Sequence, residues 1–374
     1  MHEVLIVGAG KIGSVAAALL AETGDYGVTV VDCSEPALQR LPAPARRLCI
    51  DIADPAALAA AFAGKFAVLS AAPYHLTVAI ATAAKAAGAH YLDLTEDVAS
   101  TRAVMRLAKG ARTALIPQCG LAPGFVSIVA ADLASDFETL QDVRLRVGAL
   151  PRYPSNALNY NLTWSTDGVI NEYCEPCEAI VDGELTQTKP LEECESFALD
   201  GVTYEAFNTS GGLGTLAASL AGRVRNLNYR TIRYPGHAAI MKALLNDLRL
   251  RERRDLLKEI LENAVPTTLQ DVVVIFVTVS GQRGGALVQE TYANRIYAGE
   301  VGGQTASAIQ ITTASSLCAV LDLLAEGRLP TSGLVRQESI RLADFLANRF
   351  GRVYAIADTV GSASARAGAM ASAA

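Results

Sequence analysis

Three sets of residues in this 374-residue chain have the types and spacing to do chemistry. The first is Gly8-x-Gly10-x-x-Gly13, set between the apolar run Val4–Val7 and a helix-forming run. Gly8 permits a tight turn, Gly10 lets a pyrophosphate approach the backbone, and Gly13 lets strand and helix pack closely. Lys11 and Ile12 lie in the same loop, and the free N–H groups of the helix start face the phosphates. Asp32 stands 19 residues beyond Gly13, at the end of the next apolar run. A carboxylate there accepts hydrogen bonds from ribose hydroxyls and repels a 2′-phosphate. Cys33 and Ser34 follow it, with no arginine close by, so the expected cofactor is NAD rather than NADP. Asp51, in "CIDIADP", either touches the adenine edge or starts the helix near Pro55, where Asp54 is the better cap.

The second set sits in "YRTIRYPGH". Period-two alternation puts Tyr229, Thr231 and Arg233 on one face of a strand. A planar guanidinium suits a carboxylate, so Arg233 is the candidate for holding one, with a structural ion pair as its alternative. Arg230 should point the other way, into solvent. His237, one of four histidines, is a candidate base or amine partner, unless it only caps or packs. The third set is Glu96 and Asp97 in "DLTEDV", at the carboxyl edge of a parallel sheet, where ligands gather. Either could bind an ammonium or relay a proton; helix capping is the plainer role for Asp97. Around these lie further candidates. Ala71, Ala72 and Pro73 should line the nicotinamide side, with Tyr74 and His75 beside them. The polar turn Asn208-Thr209-Ser210 could bind a head group, and Tyr160, Asn161 and Trp164 could form a cleft wall, or in Trp164's case the core.

Elements must position these groups. Residues up to about 125 alternate short apolar strands with alanine-rich helices. The strands are Val4–Val7, Val28–Val31, Arg47–Ile50, Ala67–Ser70, His90–Leu94 and Ala114–Pro117. That rhythm predicts an α/β domain over 1–125, a Rossmann-type doubly wound parallel sheet. From 126 to 305 strands and turns dominate, predicting a second α+β domain for substrate binding and dimerisation. "GQRGGA" should join two antiparallel strands there. A helical segment over 306–355 is expected to pack back on the first domain, and the small-residue stretch 356–374 to form a mobile tail.

Composition narrows the classes. Hydrophobic residues make up 51% and charged residues 19%, which is globular. A net charge of −6 argues against nucleic-acid or anionic-membrane partners. Apolar runs break well short of a bilayer span, and the N-terminus reads as a strand, so the cytoplasm is expected. Seven scattered cysteines suit a reduced compartment. Cys174-x-x-Cys177 lacks further ligands nearby, so no metal is expected.

The stretches "VGAGKIG", "APYHLTV", "HYLDLTED", "IPQCGLAPGF", "YEAFNTSGG" and "YRTIRYPGH" extend over nearly all of residues 2–355. Together they resemble the saccharopine dehydrogenase family, and within it the lysine 6-dehydrogenase branch. The resemblance implies a turn beside the nicotinamide at the domain join, so Leu121, Ala122 and Pro123 become cofactor-contact candidates. Saccharopine reductases of the family carry Asp where Ala122 stands here. The implied reaction is NAD-dependent oxidative deamination of the L-lysine ε-amine. Its product, 2-aminoadipate 6-semialdehyde, cyclises to piperideine-6-carboxylate. Saccharopine or a carboxyalkyl polyamine is the alternative, and its extra carboxylate would want Arg144, Arg146 or Arg152. A third alternative is NAD(H) sensing without turnover. A small amino-acid substrate and a homodimer or larger homo-oligomer are the implied partners.

Overall fold

The structure, a computed structural model, describes residues 1–41 and 44–356. Residues 357–374, nearly all of the expected tail, lie outside it.

The first domain contains β1 (His2–Val7), α1 (Lys11–Glu22), β2 (Tyr26–Asp32), α2 (Glu35–Gln39), β3 (Arg46–Cys49), α3 (Pro55–Phe62), β4 (Ala67–Ser70), α4 (Thr77–Ala87), β5 (His90–Asp93), α5 (Val98–Ala108) and β6 (Ala114–Ile116). With β17 (Gly333–Leu334), its parallel sheet runs β17-β6-β5-β4-β1-β2-β3. Strand order reverses between β1 and β4, and such a switch point opens a crevice at the carboxyl ends. The seventh strand was not legible locally: β17 (Gly333–Leu334) returns from the far end of the chain to pair with β6.

The second domain contains α6 (Phe125–Ser135), β7 (Thr139–Pro151), α7 (Thr166–Cys174), β8 (Cys177–Val181), β9 (Glu184–Thr188), β10 (Glu195–Leu199), β11 (Val202–Asn208), α8 (Leu216–Leu220), β12 (Val224–Arg233), α9 (His237–Lys242), α10 (Arg254–Ala264), β13 (Asp271–Arg283), β14 (Ala286–Tyr297), β15 (Gly299–Val301) and β16 (Gln304–Ala306). The main sheet runs β10-β11-β12-β7-β13-β14, with the β8–β9 hairpin attached to β12. Only β12 and β7 run parallel; the other pairs are antiparallel. The sheet curls on itself. Phe197 of β10 stacks on Phe276 of β13, with ring centroids 5.5 Å apart, although three strands lie between them. As the turn chemistry predicts, β13 and β14 form a hairpin closed by Gly284-Gly285.

The segment before Cys174 is helical: α7 is capped by Ser165, whose side chain accepts the Gly168 N–H at 3.1 Å. α9 does not run on into α10, because a π-turn follows it and Arg249 takes a left-handed φ of 59°.

The chain closes with α11 (Ala308–Ala325), β17 and α12 (Leu342–Ala347). A capping box at Ser307 and Gln310 starts α11. By length and composition this helix could cross a bilayer, contrary to the expectation of no such run, but 72% of it is buried inside the protein. It packs on α1 on one side and on β13 on the other. One hydrophobic cluster therefore runs without a break from Val4 and Ile6 of β1 through Leu317 and Leu321 to Val273 and Val277 of β13.

Candidate active site

The glycine loop between β1 and α1 is shaped by contacts that admit no side chain. A Cβ on Gly13 would lie 1.9 Å from the Gly8 carbonyl oxygen, and one on Gly8 would lie 2.7 Å from that of Ala71. Gly10, in contrast, faces open space, and it begins α1 without a side-chain cap. This is a backbone wall with free N–H donors, and it fits a pyrophosphate. Lys11 is exposed there, and Ile12 is half-buried. Asp32 braces the loop: its oxygens accept the Ala9 N–H at 2.7 Å and the Ser34 N–H at 2.8 Å. Each oxygen keeps a lone pair for a ribose hydroxyl. Asp51 is exposed, and one of its oxygens turns back to the Ala53 N–H at 2.8 Å; Asp54 caps α3. Ala71, Ala72 and Pro73 follow β4 across the crevice from Gly8. Leu121, Ala122 and Pro123 form the turn into α6, with Ala122 half-buried.

Asp93, at the end of β5, joins the two sides. Its Oδ1 accepts the Thr95 N–H at 3.1 Å and the Gln118 N–H at 2.8 Å, tying the loop that carries Glu96 to the turn that carries Ala122. Burial pushes its carboxyl up to about 6.

The second domain contributes a buried polar chamber. Arg233, at the end of β12, is 2% exposed. Its Nε donates to the Tyr173 hydroxyl at 3.0 Å and its Nη1 to the Ile232 carbonyl at 2.9 Å. The guanidinium lies 4.9 Å from the centroid of the Tyr160 ring. No carboxylate among the described residues forms an ion pair with it. A buried cation with no carboxylate in contact is costly, and an anionic ligand seated against it would relieve that cost. Two carboxyl groups share the chamber. Glu172, on α7, is buried, and burial followed by the nearby Glu96 charge pushes it up to about 8, against the pull of Arg233. Glu96 is itself pushed up by burial, and less by Asp97 and Asp93, to about 7.

Several expected side chains are committed elsewhere. His237 is 1% exposed, and burial, then Arg233, push its imidazole down to about 3. Its Nδ1 faces the Leu158 carbonyl at 2.9 Å and so carries the proton; Nε2 then accepts from the Tyr173 hydroxyl at 3.0 Å. This neutral ring positions Tyr173, and through it Arg233, rather than acting as a base. Thr209 and Thr231 hydroxyls bond each other at 2.7 Å, Ser210 donates to the Pro176 carbonyl, and the Asn208 amide donates to Thr188. Each of these three polar side chains already makes one hydrogen bond within the protein, which fixes its orientation. Asp97 caps α5 through the Ser100 N–H at 2.7 Å. Tyr74 is half-buried, and its carbonyl accepts the Ser100 hydroxyl; its ring meets His75 edge-on. Arg230 is not solvated but paired with Glu193 and Glu195.

The arginines proposed for a second carboxylate are also engaged. Arg146 holds Glu195 at 2.5 Å, Arg144 holds Asp142 at 3.4 Å, and Arg152 stacks over Tyr153 and Tyr297.

Comparison with known families matches residues 4–116 to the saccharopine dehydrogenase NADP binding domain, and residues 120–352 to the saccharopine dehydrogenase C-terminal domain. The chain belongs to the saccharopine dehydrogenase family. Among solved structures it is similar to apo saccharopine dehydrogenase (L-Glu forming) from Saccharomyces cerevisiae. Identity there is 17% and the TM-score 0.75, with 95% of this chain and 96% of that chain covered. A weaker likeness is to the DAP dehydrogenase of C. glutamicum in complex with DAP, at 13% identity, 98% coverage of both chains and TM-score 0.49. At 17% identity the likeness to the yeast structure extends to fold alone.

Membership of the saccharopine dehydrogenase family makes the first domain a nicotinamide-dinucleotide site, which the glycine wall fits. Glu172 and Tyr173 are the site residues that sequence reasoning missed. Their signal was present: Ser165 as cap, then apolar Val169 and Ile170 at helical spacing before Tyr173.

Proposed function

We propose that this family member oxidises the terminal amine of a basic, lysine-like amino acid, with NAD as the hydride acceptor. The observation that carries this reading is the chamber's charge arrangement. A buried arginine with no ion-pair partner among the described residues shares its chamber with Glu172, and Glu96 lies beside Glu172; burial raises both carboxyls towards neutrality. That pattern complements a molecule with a carboxylate at one end and an amine at the other.

Arg233 would take the α-carboxylate with its remaining N–H donors, held in place by Tyr173 and Ile232. Glu96 and Glu172 would take the ammonium and its proton, since a base poised near neutrality suits amine deprotonation. The Gly8–Gly13 loop would hold the phosphates of a bound dinucleotide and Asp32 its ribose, and the bound nicotinamide would supply the hydride acceptor. The imine left on the substrate takes up water and releases ammonia. Ala122 and the engagement of Arg144, Arg146 and Arg152 argue for a substrate with one carboxylate.

Reduced-cofactor formation with L-lysine and with saccharopine, each with NAD and NADP, tests the reading. Turnover with lysine and NAD is the expected result. Turnover with saccharopine alone would refute the single-carboxylate argument. Tight NADH binding without turnover of any amine would favour a sensor.

A further inference from the structure

We infer that Glu96 and Glu172 act as one unit, holding a single proton between them in the resting chamber, and that this unit accepts the substrate's amine proton. This rests on the reading of Arg233 as the carboxylate site.

The geometry brings the two groups in from different domains. Glu96 hangs from the loop after β5, whereas Glu172 projects from α7. Gly168 lies one turn before Glu172, on the same face of the helix. The Glu96 Oε1 rests against it, 3.2 Å from where a Cβ would stand. Any side chain there would push Glu96 away, so the helix is bare where the first-domain carboxylate must seat. Trp164 covers the same spot, its ring closer still to that position. Glu172 keeps only 6% of its surface. Among the described residues no hydrogen bond holds its carboxylate.

Charge counting gives the protonation state. With Arg233 cationic, two ionised glutamates would leave an excess negative charge beside it; one shared proton makes the three groups neutral together. The groups facing the pair do not alter that. Asp93 and Asp97 approach from the first domain and add negative charge, which favours the proton. Arg233 and Tyr229 of β12, Tyr173 of α7, Tyr160 and Cys177 complete the wall. Of these only Arg233 is charged near neutrality, since burial pushes the phenols and the thiol up. When a substrate ammonium enters, one N–H bond breaks and one O–H bond forms on the ionised glutamate. The lone pair stays on nitrogen, ready to assist hydride departure from the adjacent carbon.

The test begins without substrate or cofactor, by following glutamate carboxyl carbons by NMR through a pH titration. The wild type should show two glutamates titrating in separate steps above the ordinary range. E172Q should leave Glu96 with one step, moved to lower pH by a unit or more, and E172D should restore the second. In turnover, E172Q should shift the acid limb of kcat/KM by the same amount. It should cut kcat more than tenfold while KM moves less than threefold. A Glu96 titration that E172Q leaves unmoved, with amine turnover intact, would overturn the shared proton alone. Titrations that move while the pH profile stays still would overturn the acceptor role. Coupled titrations in a wild-type protein that oxidises no amine would sink the proposed function itself and the acceptor role with it.

Discussion

The glycine loop and the buried polar chamber are built on opposite principles. The loop is made of backbone: its shape depends on side chains that are missing at Gly8, Gly10 and Gly13. The chamber is made of side chains drawn from distant elements, with Glu96 after β5, Glu172 and Tyr173 on α7, and Arg233 on β12. A backbone site is encoded within a few consecutive residues. A side-chain site depends on tertiary packing and on the charge state of every member.

The sharpest way to break that contrast is at the glycines. Gly13→Val should abolish cofactor binding, with NADH affinity falling more than a hundredfold and a clear drop in Tm, because nothing can yield around the Gly8 carbonyl. Gly10→Ala meets nothing in the free protein, so Tm should hold while NADH affinity falls about tenfold, that space being the pyrophosphate's. Fluorescence titration and thermal melts check both. Equal losses of Tm in the two variants would mean that the loop is merely structural.

Next comes the chamber. Arg233→Met should lower kcat/KM for an amino acid about a thousandfold, the usual scale for removing a buried charge partner. A simple alkylamine, lacking the carboxylate, should lose little. If both substrates suffer equally, Arg233 does not read the carboxylate.

A smaller effect concerns pH and stability. The Glu96 and Glu172 carboxyls are raised in the folded protein, so it binds protons that the unfolded chain has released. Their stabilising contribution is complete below about pH 4.5 and is lost as pH rises through 7 and 8. E172Q should remove part of that decline, on the order of a few kcal/mol at alkaline pH, as read by denaturant melts. His237 is depressed, so its contribution is present above pH 6.5 and is lost as pH falls towards 3. His237→Gln should flatten the acid limb of the stability curve and leave the alkaline limb of turnover in place.

The smallest effect lies at the rim, where Arg102 of α5 meets Glu178 of β8 across the domains at 2.6 Å. Arg102 is largely exposed, so Arg102→Ala should cost no more than about 1 kcal/mol. A larger loss in a thermal melt would show that the rim, and not only the interior, binds the domains together.

The same contrast explains what the sequence disclosed. The glycine spacing, Asp32, the strand rhythm and the Gly284-Gly285 hairpin are local signals, and the fold they imply is the one observed. Arg233 was legible because strand alternation alone decides which way it faces. The chamber's other members were not. Asn208, Thr209 and Ser210 look like a free polar turn, but partners from strands and loops far along the chain absorb their hydrogen bonds. His237 invites a catalytic role through its rarity, whereas its protonation is set by a carbonyl 79 residues away. Glu172 stayed hidden because α7 is short, and its polarity suggested loop. The strand β17 depends entirely on an edge offered by β6.

One feature of the fold governs how the molecule comes apart. α11 lies between the two sheets, sharing a single apolar cluster with both. Neither sheet can lose that helix without exposing its own inner face, so the two halves have no independent melting point. Calorimetry should show one transition, with calorimetric and van't Hoff enthalpies in agreement. A fragment ending before α11 should fail to give a cooperative transition, although it holds the whole glycine loop, Arg233 and both glutamates. The candidate site residues all lie before residue 240, but the cooperativity that holds them together is supplied by a helix more than sixty residues further along.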